Sequence, residues 1–319
     1  MPTEGLTAVA VDDSGSIAVG GFAYVESASL TNPLQPVIRG APDGFVAKLR
    51  HDVPAYVFAS YLGGRGGDSV AAVALHDGCV YVAGATSSRD FPVTRAYQRV
   101  HGGGYNDGFV AAFAPDGRAL QFSTYVGGSG EDAARGVAVA GDGAAYAIGR
   151  TDSADFPATD GAFDRRCGSD GRCNPTHVCD RRGYCATVPI PDIFVTSIDR
   201  VGGLRTSTFL GGGGNDEGRA IAVDASGRIT IAGSTTSRDF DGIPPPLRCR
   251  AADGCHAFVA ELSADLDVVT AAWRVPVPVR SGSDPVALAR TRPDRLTITL
   301  NTSAGAVVVR APSASGPIE

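Results

Sequence analysis

The sequence predicts an all-β fold: a β-propeller of about five four-stranded antiparallel blades, the last of them incomplete. The first observation behind this is a phrase that returns. Ser123-Thr-Tyr-Val-Gly-Gly-Ser-Gly-Glu-Asp132 is restated as Ala59-Ser-Tyr-Leu-Gly-Gly-Arg-Gly-Gly-Asp68 and as Ser207-Thr-Phe-Leu-Gly-Gly-Gly-Gly-Asn-Asp216. Its aromatic position falls at Tyr61, Tyr125, Phe209 and Trp273, in steps of 64, 84 and 64 residues. The second observation is a Gly-Phe-Val-like marker centred on Phe45, Phe109, Phe194 and Phe258, in steps of 64, 85 and 64 residues. Two markers keeping one period define an internal repeat. The third is composition: Gly 42 and Pro 20 among 319 residues, with short valine and alanine runs between them, which suits short strands and tight turns. A repeat of this size cannot bury an apolar face alone, so copies must stack, and radial stacking of four-stranded sheets makes a propeller. Another stacked β-repeat is the alternative.

The elements follow in order. In the first copy Thr7–Val11 alternates, Asp12-Asp-Ser-Gly15 turns, Ser16–Gly20 resumes, and a long polar stretch leads to Gly44–Leu49 and Ala55–Leu62. The second copy has Val70–Leu75, a turn at Asp77-Gly78, Val80–Gly84, a long loop, Gly108–Phe113, a turn at Pro115-Asp-Gly117, and Leu120–Val126. The third has Gly136–Val139, Ala145–Gly149, Ile193–Ile198 and Arg205–Leu210; the fourth has Ala220–Val223, Arg228–Gly233, Ala257–Leu262 and Val268–Val275. Val286–Ala289, Leu296–Leu300 and Ala306–Arg310 make an incomplete fifth. The blades are expected at 3–64, 65–128, 129–212, 213–278 and 279–311 of a single propeller over 1–312, with a Cys-rich insert at 164–190 and a tail at 313–319. Short turns should gather at one end of the sheets, and the long second-to-third-strand loops at the other, with the connectors between blades.

A net charge of −6 and a pI near 5.4 speak against a nucleic-acid partner, which calls for a basic face. No apolar run is long enough to cross a bilayer as a helix. The opening Met1-Pro-Thr-Glu4 shows no basic stretch followed by an apolar one, so no signal peptide is read there.

The phrase Thr-x-Ser-x-Asp-Phe-Pro-x-Thr occurs as Thr86-Ser-Ser-Arg-Asp-Phe-Pro-Val-Thr94, as Thr151-Asp-Ser-Ala-Asp-Phe-Pro-Ala-Thr159, and in part as Thr235-Thr-Ser-Arg-Asp-Phe240. With Tyr-Leu-Gly-Gly and Asp-Gly-Phe-Val-Ala, it resembles the SBBP (β-propeller) repeat family of bacterial surface and secreted proteins, over roughly residues 5–275. The first copy departs from the pattern, reading Glu26-Ser-Ala-Ser-Leu30 in place of Asp-Phe-Pro. The resemblance implies an exported, extracellular or cell-surface repeat scaffold, and it brings no agreed catalytic residues.

Four cysteines, Cys167, Cys173, Cys179 and Cys185, follow one another at a spacing of six positions in the insert, and Cys249 and Cys255 repeat that spacing in the matching loop of the fourth copy. Zinc pairs usually lie closer, and the segment has no apolar core, so disulfides are the expected state, with metal as the alternative. Cys79 is the odd one, read as a small buried filler. The five histidines, His51, His76, His101, His177 and His256, occupy unrelated positions, and no nucleophile–base spacing is present. Asp90, Asp155 and Asp239 are expected to accept backbone N–H groups and hold their loops, while Phe91, Phe156 and Phe240 anchor those loops in the core.

Glu4, Asp68, Asp132 and Asp216 share one register, with Asp284 close to it, each just before a first strand. Gly63-Gly-Arg-Gly-Gly-Asp-Ser-Val70 also fits the start of a calcium-binding nonapeptide. These acids have two readings. Each carboxylate accepts N–H bonds from its own glycine-rich connector, or together they hold a structural calcium. The first is preferred, because calcium takes six to eight oxygens and one acid per blade supplies too few. No other cofactor is expected. The function expected is a non-enzymatic binding scaffold that meets a protein or glycan at the long-loop face; the alternative is a propeller enzyme with a channel-mouth site acting on glycans or peptides.

Overall fold

The computed structural model describes residues 4–26, 30–52, 55–167, 176–179, 185–188, 190–237, 239–240, 256–278, 285–292, 295–302 and 305–312. The fold is an all-β propeller, and among the described residues there is no helix. The first sheet is β1 (Glu4–Val11), β2 (Ser16–Ala23), β3 (Asp43–Arg50) and β4 (Tyr56–Leu62). The second is β5 (Asp68–His76), β6 (Cys79–Thr86), β7 (Asp107–Phe113) and β8 (Leu120–Val126). The third contains β9 (Asp132–Val139) and β10 (Ala145–Thr151). After a small separate hairpin, β11 (Thr176–Cys179) and β12 (Cys185–Val188), it is completed by β13 (Asp192–Ile198) and β14 (Leu204–Leu210). The fourth is β15 (Asp216–Val223), β16 (Ile229–Thr235), β17 (His256–Leu262) and β18 (Val269–Pro278). A three-stranded sheet closes the chain: β19 (Pro285–Arg292), β20 (Arg295–Thr302) and β21 (Gly305–Pro312). Each four-stranded sheet keeps its strands in chain order, the meander that the repeated markers predict.

The copies share small irregularities as well as strands. The first strand of the first, second and fourth sheets carries a register shift at one and the same place, between Leu6 and Ala8, Val70 and Ala72, and Gly218 and Ala220. A bulge there bends the strand and increases its twist. Tight turns follow local chemistry: Asp77-Gly78 joins β5 to β6 with both residues at positive φ, 47° and 74°, the two-residue hairpin turn that favours Asp-Gly.

The chain divides into two compact units, residues 1–147 with 196–205, and residues 148–195 with 206–319. In the first, the core joins the first sheet to the second: Val46, Phe58, Leu62, Val70, Val80, Phe109 and Phe113 are all wholly buried. Phe58 stacks on Phe113 at 5.5 Å. Gly20 allows this approach, since a Cβ there would lie 2.6 Å from methyl carbons of Val70 and Val73. In the second unit Ile148, Ile193, Phe194, Phe209, Phe258 and Leu262 fill the interior.

Within each meander the short turns fall at one end of the sheet, and the second-to-third-strand loop and the connector to the next sheet fall at the other. That alternation brings the two motif-bearing segments, the glycine-rich connector and the Asp-Phe loop, to one end.

Candidate functional site

At the long-loop end the connector and the loop are laced together. Between the first and second sheets, Gly64 N donates to Asp68 Oδ2 (2.8 Å), Arg65 N to Asp90 Oδ1 (2.8 Å), Gly66 N to Ser88 Oγ (2.8 Å) and Gly67 N to Ser87 Oγ (2.7 Å). Ser88 Oγ in turn donates to Asp68 Oδ2 at 2.7 Å. The second unit repeats the lacing. Gly212 N donates to Asp216 Oδ2 (2.9 Å), Gly213 N to Asp239 Oδ1 (2.9 Å), Gly214 N to Ser237 Oγ (2.8 Å) and Asn215 N to Thr236 Oγ1 (2.6 Å), while Ser237 Oγ donates to Asp216 Oδ2 at 2.6 Å. Gly128 N makes the matching bond to Asp132 Oδ2 at 2.8 Å. Consecutive backbone N–H groups thus find acceptors without a sheet partner, which matters most where the connector is withdrawn from water. Glycine permits the closeness: a Cβ on Gly66 would lie 2.6 Å from the Ser87 carbonyl carbon.

Asp68, Asp132 and Asp216 are buried, each bonded to its own connector. The side chain of Glu4 and all of Asp284 lie outside the described residues. Asp90 and Asp239 accept backbone N–H groups, and those groups belong to the connector. Asp155 occupies the corresponding place in the third copy and is exposed.

Beside the connector acids lies a second set of carboxylates that sequence reasoning missed. Asp43, Asp107 and Asp192 open the third strands and are buried. Asp43 accepts from Gln35 Nε2 (2.6 Å), Arg39 N (2.9 Å) and Gly40 N (2.9 Å). Asp107 accepts from Gln98 Nε2 (3.3 Å) and Gly102 N (2.6 Å). Each pair straddles a glycine. A Cβ at Gly63 would lie 2.5 Å from Asp68 Oδ2 and 2.9 Å from Asp43 Oδ1; at Gly127, 2.8 Å from Asp132 Oδ2 and 3.0 Å from Asp107 Oδ1; at Gly211, 2.9 Å from Asp216 Oδ2 and 2.4 Å from Asp192 Oδ1. The signal was available, because these aspartates keep the spacing of the Phe marker, in steps of 64 and 85 residues.

Burial dominates the electrostatics here. It pushes the Asp68 carboxyl up to about 6 against the hydrogen bonds that lower it, and the charge of Asp43 adds to the rise. Burial pushes Asp216 up to about 7, helped by the charge of Asp239. Two like charges sharing a site favour keeping one proton between them. His101 joins the Asp107 pair: its ring is buried, Nδ1 lies 3.6 Å from Asp107 Oδ1, and burial lowers its pKa. Among the described residues no group of three or more His, Cys, Asp or Glu is arranged to hold a metal ion.

The loop phenylalanines are seated as anchors. Phe91 lies 4.5 Å from the Phe109 ring and 6.0 Å from Tyr125. Phe156 lies 4.6 Å from Phe194 and 5.8 Å from Phe209, and Phe240 lies 5.2 Å from Phe258. The Tyr125 hydroxyl accepts from Phe91 N (3.1 Å) and donates to Ser88 O (2.7 Å), pinning the loop at both ends of the anchor. Of the expected disulfide set, Cys167 is buried and disulfide-bonded. Its partner, and the side chains of Cys173, Cys179, Cys185, Cys249 and Cys255, lie outside the described residues. Cys79 is free and half-buried.

No family model matches the chain, and no curated protein matches it. Several solved structures share the arrangement of strands. A protein of unknown function from Dyadobacter fermentans is 11% identical with a TM-score of 0.48, over 96% of this chain and 76% of its own. The Dos1 propeller is 10% identical with a TM-score of 0.41, over 100% of this chain and 71% of its own. A GH43_1 enzyme from Xanthomonas citri, solved with xylose, is 12% identical with a TM-score of 0.43, over 98% of this chain and 88% of its own. Its xylose says nothing of this chain at that level of likeness.

Proposed function

We propose that the chain is a non-enzymatic, exported binding scaffold that meets a protein or glycan at the ends of its long loops. The observation that supports this most directly is the contrast within those loops. Their acids and hydroxyls are turned inward onto backbone N–H groups, while apolar side chains stand outward: Val37 is 48% exposed, and Val100 and Tyr105 are each 74% exposed. Loops held by a rigid frame and carrying exposed apolar groups are the usual place for recognition. Val37 and Val100 each stand two residues beyond the glutamine, Gln35 or Gln98, that binds the third-strand aspartate. The outward position is therefore set by the lacing.

Peptide and glycan arrays probed with the intact chain test the reading. A ligand found this way should bind at least tenfold more weakly to the double variant Val100→Asp, Tyr105→Ala, with the melting temperature nearly unchanged, since both sites are exposed. Turnover of a glycoside or peptide substrate that is lost in this variant would instead establish an enzyme.

Export rests on the cysteines and on the resemblance to surface and secreted repeats. Mass spectrometry of unreduced protein should find two bridges among Cys167, Cys173, Cys179 and Cys185 and a third joining Cys249 to Cys255. Free thiols at all six would overturn the exported reading.

A further inference from the structure

The loops between second and third strands run back along the fourth strand of their own sheet and are fastened to it at a repeated point. Tyr61 N donates to Gln35 O and Tyr125 N to Gln98 O, each at 3.2 Å, and Phe209 N donates to Asp164 O at 2.9 Å. In return Gln35 N, Gln98 N and Asp164 N donate to the hydroxyls of Ser60, Thr124 and Thr208 at 2.9, 3.0 and 2.9 Å. These bonds align the three loops residue by residue.

Three positions beyond each fastened residue stand Ile38, His101 and Cys167. Ile38 is partly buried, His101 is 6% exposed, and Cys167 is wholly buried and disulfide-bonded. The alignment continues one residue further in the first two copies, where Arg39 N and Gly102 N donate to Asp43 Oδ2 and Asp107 Oδ2 at 2.9 and 2.6 Å. One place in the repeat thus holds an apolar group in the first copy, a titratable ring in the second and a bonded sulfur in the third.

The seat of His101 suits the neutral ring. Its edge meets the Tyr125 ring at 5.7 Å, and among the described residues neither ring nitrogen has a hydrogen-bond partner. Polar and titratable groups reach it from β6, β7, β8 and β9. Asp107 opens β7, and its Oδ1 lies 3.6 Å from Nδ1, beyond hydrogen-bond length. The Thr86 carbonyl at the end of β6 and Asp132 at the start of β9 favour the charged ring, while Arg89 in the loop after β6 opposes it. Burial raises Tyr125 of β8 and Tyr97 of the same loop, so both stay neutral. Burial of His101 itself is the largest influence and holds the imidazole below its ordinary 6.5. The neutral ring therefore stabilises the seat above 6.5, and that contribution is lost as the pH falls through the lowered value.

We propose that His101 is an acid-released latch: seated neutral, it holds segment 98–107 against the second sheet, and protonation withdraws the ring and frees that segment. Ile38 makes the first loop the version of this closure that cannot titrate. The freed segment carries Val100 and Tyr105, so acid would also release a ligand held there. That consequence rests on the binding-scaffold reading, whereas the latch itself does not.

Amide hydrogen exchange of the full chain, corrected for the intrinsic effect of pH on exchange, tests the latch without any ligand. The withdrawn ring takes up one proton, so the opening equilibrium should rise by up to about tenfold per pH unit between the free and seated imidazole values. Protection at Tyr125 N and Gly102 N should therefore fall severalfold from about pH 7 to about pH 5. Tyr61 N, bonded to the loop that carries Ile38, should keep its protection and serves as the control. His101→Ile, which copies the first loop, should abolish the step at Tyr125 N. Unchanged or increased protection at Tyr125 N overturns the proposal, an increase showing that Asp107 retains the charged ring. So does an equal fall at Tyr61 N, or a step that survives His101→Ile. Should that variant not fold, the native chain decides by the contrast between its own first and second loops. If the step is absent while array ligands still bind through Val100 and Tyr105, the latch fails and the scaffold reading stands.

Discussion

Replacing Phe91 by alanine is expected to destabilise the chain by about 3–5 kcal/mol, the usual range for truncating a buried phenylalanine. The ring is 3% exposed and lies between Phe109 and Tyr125. Its loss would leave a cavity bounded by sheet residues that have little room to relax, and a transfer and a cavity contribution then add. The loop should loosen as well, since Phe91 N and Ser88 O are fixed through one Tyr125 hydroxyl. Phe156→Ala should behave alike, because that ring is equally buried over Phe194. Phe45→Ala supplies the contrast. With its ring only partly buried, it should be less damaging than Phe109→Ala, where the ring is wholly buried. Denaturant midpoints at constant slope would read these differences. Equal effects at Phe45 and Phe109 would contradict the reading that burial sets the cost.

Raising the pH from about 5 to about 8 is expected to destabilise the chain, by on the order of 1–3 kcal/mol for each strongly raised carboxyl. Asp68 and Asp216 bind their protons more tightly folded, at about 6 and about 7, than at the ordinary value of 3.8. The folded state therefore gains from protonation. The gain is complete below 3.8 and is lost as the pH rises through 6 and 7. Asp12, Asp52 and Asp142 work in the opposite sense. Ser14 chiefly holds Asp12 low, Arg50 chiefly holds Asp52 low, and the Ala144 N–H and then Arg205 hold Asp142 low. Their stabilisation is present above 3.8 and fades as the pH falls through their lowered values, and solvent screening keeps it small. Melting temperature should accordingly peak in mildly acidic buffer. Asp68→Asn with Asp216→Asn should flatten the neutral limb, since an amide keeps an acceptor oxygen and has no proton to lose. A melting temperature that climbs steadily from pH 5 to 8 would refute the burial argument.

The strand plan was legible because its signals are local and repeated. Alternating runs, Asp-Gly turns and two aromatic markers on one period fixed the meander and its copies. The anchors Phe91, Phe156 and Phe240 were legible for the same reason, as large apolar residues at constant places in polar loops. The carboxylate pairs were not. Asp43 and Asp107 precede glycine and read as ordinary turn residues, and the third copy has Asp192-Ile193 instead, which blurs the marker at its first position. Nothing local says that such an acid will be buried beside another from the connector, because the meeting depends on where the loop end and the next first strand come together. The role of Ser88 and Ser237 was hidden likewise, since a hydroxyl that both accepts from a connector N–H and donates to a connector acid is a tertiary arrangement. His101 stood at a position that no repeat marker shares. Its burial follows from Gly102–Gly104, three glycines lying so close to the next connector that a Cβ on Gly102 would be 2.2 Å from Gly128 O.

The central claim is that the repeated acids weld each connector to its neighbouring loops and are not displayed to bind a cation. The most direct measurement is the melting temperature at neutral pH in excess calcium and in excess chelator, for the native chain and for Asp68→Asn with Asp132→Asn. The account predicts one melting temperature for the native chain in both buffers and a calcium-independent shift in the variant. A rise with calcium that chelator removes and the double variant lacks would contradict it, because only binding to the folded state couples stability to the ion.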